Sequence, residues 1–296
     1  MRVFVTGASG FIGSAVVPEL ISAGHHVVGL ARSDASAQAL RAAGAEVLRG
    51  DLEDLESLRA GAAASDGVIH LAFIHDFSRF EASARTEHRA IETLGAALEG
   101  SGRPLVIASG VLGLAPGRVL TERDEPAPDS FQSPRRAGVL ATLSFASRGV
   151  RTCIVRLAPT VHGPGDHGFL AALVSIARNK AVSGYVGDGT ARWPAVHRLD
   201  AARLFRLALE KAPAGSAVHA IADAGVPIRT IADVIGRHLK VPVGSIASED
   251  AGAHFSWLAP LLQLDSPTSS ALTRELLDWQ PTHPGLLEDL DAGHYF

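Results

Sequence analysis

The chain has 296 residues, a formal net charge of −4 at pH 7, and 47% hydrophobic against 20% charged residues. That is enough to bury a sizeable core in one large or two modest domains. The charge balance, without a basic cluster or aromatic–basic interleaving, argues against a nucleic-acid surface, and no apolar stretch reaches membrane-spanning length, so neither nucleic acid nor membrane is an expected partner.

Residues 2–13 read RVFVTGASGFIG, an apolar run over Val3–Val5 followed by glycines at 7, 10 and 13. The pattern predicts a strand that turns sharply into a helix starting near Phe11. Gly7 permits the tight turn, Gly10 lets an anion approach the main chain, and Gly13 lets the helix pack against the strand. Free N–H groups at the positive end of that helix suit a pyrophosphate. Because the first segment reads as strand rather than signal peptide, and the lone Cys153 cannot close an internal disulfide, the expected compartment is cytoplasmic.

Apolar strands and helical stretches then alternate. After a helix to about Ala23 come a strand at His26–Leu30, a helix at Ala35–Ala43 and a strand at Glu46–Leu48. A further helix leads to Gly67–Ala72, a long helix to Ala82–Glu99, and a strand to Leu105–Ala108. Such alternation predicts an α/β fold, a Rossmann-type doubly wound parallel sheet covered on both faces. Ligands of such sheets lie beyond the C-terminal strand ends, so the residues after each strand carry the chemistry. Thr121–Ser133 reads as a surface loop, followed by an Ala-rich helix to about Ser147 and a strand at Cys153–Leu157 in which Cys153 is a small core residue. Past Pro159 the pattern turns irregular. The expected division is a dinucleotide-binding domain over 1–158, rejoined by about 196–222, and a smaller, partly discontinuous substrate-binding lobe over 159–296.

TGASGFIG at the N-terminus, GDLED at 50–54, HLAF at 70–73, IASG at 107–110, RLAPTVHGPG at 156–165 and VHRLDAARLF at 196–205 follow one another along nearly the whole chain. Together they resemble the extended short-chain dehydrogenase/reductase family, and more specifically its atypical members related to the NAD-dependent epimerase/dehydratase group. The resemblance implies a nicotinamide dinucleotide on the sheet domain and a substrate beneath the C-terminal lobe. It places Gly7, Ser9, Gly10, Phe11, Ile12 and Gly13 along the pyrophosphate, Asp51 and Leu52 beside the adenine, and Leu71, Ala72 and Phe73 beside the inner ribose. For Asp51 a turn or helix-cap role stands beside that reading.

The second strand ends in Ala31-Arg32-Ser33, where NAD binders usually place a carboxylate. Arg32 instead offers a guanidinium that can pair bidentately with a 2′-phosphate, and Ser33 adds a hydroxyl. The expected cofactor is therefore NADP(H), ahead of NAD(H).

The family's usual chemistry needs a Tyr and a Lys four residues apart, plus a Ser or Thr after an earlier strand. Ser109 matches the last of these. No Tyr-x-x-x-Lys occurs, since the only tyrosines are Tyr185 and Tyr295, and the expected positions fall near Phe131 and Arg135. Phe131 has no proton to give. Arg135 can hydrogen-bond the ribose but cannot titrate near neutrality, and Pro134 before it delays the helix start. Alternative donors are His75, at the fourth strand end beside Asp76, and Tyr185; His162 and His167 flank the Gly163-Pro164-Gly165 turn. His70 is expected inside its strand. No pattern of metal ligands appears, so no metal is expected.

The aromatic residues Phe77, Phe80, Phe131, Phe169, Trp193 and Trp257 suit a largely apolar small-molecule substrate, with ordinary core packing expected for at least half of them. The Ala-rich stretches Ala82–Glu99 and Ala137–Ala146 suit a helical homodimer interface. The expected function is an NADP(H)-dependent oxidoreductase that reduces a carbonyl or related small-molecule group with a non-standard proton donor; the alternatives are first an inactive NADP(H)-binding sensor and then a nucleotide-sugar epimerase or dehydratase.

Overall fold

The computed structural model describes residues 1–76, 79–114, 117–125 and 133–296. Seven parallel strands form the main sheet: β1 (Arg2–Thr6), β2 (His26–Ala31), β3 (Glu46–Arg49), β4 (Gly67–His70), β5 (Pro104–Gly110), β6 (Arg151–Leu157) and, late in the chain, β10 (Ser216–Ala220). Their order across the sheet is β10-β6-β5-β4-β1-β2-β3, so chain order reverses between β1 and β4. Val3 pairs with Val27 on one side and Gly67 on the other, which opens the switch-point crevice directly above the glycine turn.

Alternation along each strand sends side chains to two core layers. Val3, Val5, Ile69, Val106 and Val155 meet α1 (Gly13–Ser22), α2 (Asp34–Ala42) and α7 (Arg198–Lys211) on one face. Phe4, Val68, Leu105, Ile107 and Ile154 meet α3 (Leu55–Ala63), α4 (Phe80–Leu98) and α5 (Arg136–Ser144) on the other. Cys153 is 1% exposed in the first layer, and burial pushes its thiol up to about 12, so it serves packing.

Around this sheet the boundaries move by a few residues from the expected ones. The fourth strand ends at His70, so Leu71–Phe73 form loop. The first helix starts at Gly13 rather than Phe11, because residues 7–12 stay in the turn. Pro134 sits in a short 3-10 turn over Ser133–Arg135, and the α-helix begins only at Arg136, as a proline at that point dictates.

The smaller lobe has a three-stranded sheet of β7 (Thr160–His162), β9 (Arg192–His197) and β11 (Asp223–Pro227), and a pair of β8 (Ser183–Val186) with β12 (Val243–Ile246). Packed on these are α6 (Phe169–Lys180), α8 (Ile228–Leu239), α9 (Ala251–Phe255), α10 (Ala259–Leu262) and α12 (Leu286–Asp291), around Trp193, Ile231 and Phe255. The segment α11 (Ala271–Leu277) and Trp279 return to the main sheet, and the Trp279 indole donates to the Asp200 carbonyl at 3.0 Å. Among the described residues no helix is long and apolar enough to cross a membrane.

Candidate functional site at the strand tips

The turn after β1 is shaped by what glycine lacks. Gly7 adopts φ +66°, and a Cβ there would lie 2.7 Å from the Ala72 nitrogen. At Gly13 a Cβ would meet the Gly7 carbonyl oxygen at 2.1 Å, so the helix start and the strand end touch through backbone. Gly10 faces open space apart from the Gly7 oxygen at 3.2 Å. Its own N–H is used, donating to Gly7 O at 3.0 Å, whereas those of Phe11, Ile12 and Gly13 have no acceptor among the described residues. A concave turn with spare N–H donors at a helix start fits a pyrophosphate on electrostatic and steric grounds. Ser9 is exposed beside it, and Ile12 is packed partly into the core.

Beyond β2, Arg32 is exposed and has no hydrogen-bond or ion-pair partner among the described residues. Ser33 caps α2: its hydroxyl accepts from the Ser36 N–H at 3.2 Å, while the Ser36 hydroxyl accepts from the Ser33 N–H at 3.1 Å. A second cation that the sequence reading missed, Arg49 at the end of β3, pairs with Asp34 at 3.0 Å on an exposed surface. The Asp51 carboxylate accepts from the N–H groups of Glu53 at 2.8 Å and Asp54 at 3.1 Å, so in this structure it performs the turn role. Leu52 is 9% exposed and its side chain belongs to the core.

Toward β4 and β5 the site is tertiary. The Thr6 hydroxyl lies 2.8 Å from His70 Nδ1 and accepts from the Ala72 N–H at 3.3 Å, drawing the Leu71–Phe73 loop against Gly7. His70 is 1% exposed, its Nε2 has no partner among the described residues, and burial depresses its pKa to about 3. It is a neutral strand residue, as expected. Ser109 is 7% exposed on the sheet face it shares with Ile107. Next to it, Arg135 Nη2 donates to the Ala108 carbonyl at 2.9 Å. The same guanidinium lies 4.4 Å over the Phe73 ring and is gripped by Glu87, with Nε to Oε2 at 2.8 Å and Nη2 to Oε1. Glu87 also escaped the sequence reading. Its signal was a carboxylate on the apolar stripe of α4, in helical register with Ile91, Leu94 and Leu98.

His75 lies just beyond this group, its ring edge-on to Phe73 at 5.2 Å. Burial, and then the Arg135 cation, hold its pKa below the ordinary value against a raising hydrogen bond to the Phe73 main chain; His167 also lowers it. His167 therefore reaches the same space from the smaller lobe. Its ring stands edge-on to Phe11 at 5.8 Å, and the Arg198 guanidinium lies 5.1 Å over that phenyl ring. The segment carrying His167 is pinned by Tyr295, whose hydroxyl donates to Asp166 at 3.0 Å and accepts from the Gly163 N–H at 3.2 Å.

Other candidates are placed elsewhere. Tyr185 sits in β8, its ring 5.6 Å from the Arg229 guanidinium and packed on Gly189, and none of these residues belongs to the strand-tip group. His162 is fully buried and bonds Asp289 at 2.9 Å. Trp193, expected at the mouth, is 0% exposed: its indole donates to the Leu261 carbonyl at 3.3 Å, and it is a core residue. Trp257 is 44% exposed and tilts against Phe169 at 5.7 Å. Phe80 packs edge-on to Phe73 at 5.7 Å. Phe77 and Phe131 lie outside the described residues. Among the described residues no group of His, Cys, Asp or Glu has the arrangement of a metal site.

Comparison with known proteins shows the family and the fold. The model of the NAD dependent epimerase/dehydratase family matches residues 3–221. Uncharacterized protein C2A9.02 of Schizosaccharomyces pombe is 52% identical over 298 residues, covering 100% of both chains. A 4-hydroxy-2-methyl-3-oxo-4-farnesyl-3,4-dihydroquinoline-1-oxide ketoreductase of Stigmatella aurantiaca is 31% identical over 90% of this chain and 84% of its own. The dTDP-glucose 4,6-dehydratase DesIV of Streptomyces venezuelae shares the fold, with a TM-score of 0.80 at 21% identity over 99% of this chain and 96% of that one. The chain belongs to the NAD dependent epimerase/dehydratase family, whose members are NAD(P)-dependent enzymes of the extended short-chain dehydrogenase/reductase type.

Proposed function

We propose that this chain is an NADP(H)-dependent oxidoreductase that reduces a carbonyl on a largely apolar small molecule, using a proton donor other than tyrosine. The observation that carries the reading is at the tips of β4 and β5, on the side of the crevice away from Arg32: Arg135 bonds the Ala108 carbonyl next to Ser109, and its cation acts on His75. A bound nicotinamide would supply the hydride. The spare N–H groups at residues 11–13 hold its pyrophosphate, and Arg32, with Arg49 nearby, favours a 2′-phosphate over a bare hydroxyl. Ser109 donates a hydrogen bond to the carbonyl oxygen and stabilises the negative charge that develops there. His75 delivers the proton to that oxygen, completing the alcohol. Its lowered pKa leaves the imidazole mainly neutral at pH 7, so the donor form grows as pH falls. The similarity to a ketoreductase of a farnesylated quinoline oxide supports an apolar ketone.

The test is loss of NADPH absorbance across aldehydes, ketones, quinones and imines, repeated with Ser109→Ala and His75→Ala. Turnover that falls in both variants supports the reading. Wild-type rates in both would remove these residues from the site. Tight NADPH binding without turnover on any compound would favour a redox sensor, the alternative raised by the absence of Tyr-x-x-x-Lys.

A further inference from the structure

Glu87 and Arg135 are joined in a way that leaves one defined edge of the guanidinium for a ligand. Glu87 is 3% exposed and accepts from Nε and Nη2 of Arg135. The second Nη2 hydrogen goes to the Ala108 carbonyl, and the Phe73 ring covers the guanidinium plane. Three of its five N–H donors are thereby used, and the two on Nη1 have no partner among the described residues. The Glu87 carboxylate already balances the cation. A charge-balanced pair of N–H donors suits neutral oxygens, such as two vicinal hydroxyls, better than a phosphate.

The position of that edge selects the ligand. The glycine turn lies at the tip of β1, Leu71 and Ala72 follow β4 and touch Gly7, and Arg135 stands over the next residue, Phe73, beside the end of β5. A dinucleotide with its pyrophosphate on the turn and its adenosine toward β2 and β3 brings its second ribose to β4 and β5. We propose that Glu87 is a positioning residue for this nucleoside: it locks Arg135 so that the Nη1 donors take the hydroxyls of the nicotinamide-side ribose. The assignment rests on the dinucleotide reading given above. Glu87 itself touches no ligand and acts through Arg135.

The experiment compares binding of NADPH with binding of 2′,5′-ADP, which carries only the adenosine half, by calorimetry on the full chain. Glu87→Gln is expected to weaken NADPH about tenfold and leave 2′,5′-ADP within about twofold, the scale of one charge-assisted contact. Both affinities unchanged, or both weakened alike, would overturn the proposal, since a merely structural role cannot single out one half of the cofactor. If Glu87→Gln fails to fold, Glu87→Gln combined with Arg135→Gln leaves neither charge buried alone. The same selective loss is expected there, and wild-type NADPH affinity would overturn the proposal. Failure of the underlying cofactor reading looks different. A wild-type chain that prefers NADH shifts the comparison to NADH and ADP, with the same selective loss expected. A wild-type chain that binds neither dinucleotide ends both readings.

Discussion

The two ends of the crevice are built by different means. At the adenosine end each device is local: three glycines within seven residues shape the turn, Ser33 caps α2 in a reciprocal pair with Ser36, and Asp51 accepts from the N–H groups two and three residues on. At the reaction end the partners come from far apart. Thr6 meets His70 across 64 residues, Arg135 meets Glu87 across 48, and His167 arrives from the smaller lobe. Backbone geometry therefore holds the phosphate end almost independently of side chains. The reaction end depends on how α4, α5 and the β7–α6 loop pack. A tyrosine or lysine can be replaced there without disturbing the glycine turn proposed for the cofactor.

That contrast can be broken most forcefully at Gly13. Gly13→Ala places a Cβ 2.1 Å from the Gly7 oxygen, so the turn must move. NADPH binding is expected to vanish, and overpacking is expected to cost about 1–3 kcal/mol of stability, seen as a lower Tm. Unchanged binding would mean that the turn is not the phosphate site.

His75→Asn probes the other end. Turnover is expected to fall about a hundredfold with NADPH affinity unchanged, the range for loss of a general acid. In the wild type, a pKa held below the ordinary value makes the protonated donor scarce at neutrality, so kcat rises as pH falls. A flat pH–rate profile would argue against an imidazole donor. A smaller effect is expected at Arg32: Arg32→Ala weakens NADPH about tenfold and leaves NADH nearly unchanged. Equal effects on both cofactors would remove the 2′-phosphate assignment.

The mildest prediction concerns the framework around both ends. Burial depresses His70 to about 3, and His197 and His219 to about 4, from an ordinary 6.5. Below 6.5 the unfolded chain takes up protons that the folded chain refuses. Their contribution is therefore whole above that pH and is lost as pH falls toward 4. Tm should decline steadily from pH 7 to 5, and a constant Tm would show these rings are hydrated.

Legibility in the sequence followed the same division. The doubly wound sheet, the glycine turn, the strand-end position of Ser109 and the late helix start after Pro134 were all readable, because each is fixed by neighbours within a few residues. Glu87 was not, since a carboxylate on an apolar helix face declares that it has a partner without saying which. Trp193 misled for a related reason: an aromatic residue near a turn can face the core or the mouth, and only packing against Phe169 and Leu261 decides. Asp51 shows a third case, in which two roles fit one spacing and the turn hydrogen bonds are the ones formed.

Hydride transfer itself offers the most direct trial. NADPH carrying deuterium on the transferring face of its nicotinamide C4 is incubated with the chain and a panel of apolar ketones, and the products are examined by mass spectrometry. The account predicts an alcohol with one deuterium on the former carbonyl carbon. Bound NADPH with no deuterium delivered to any product would contradict it.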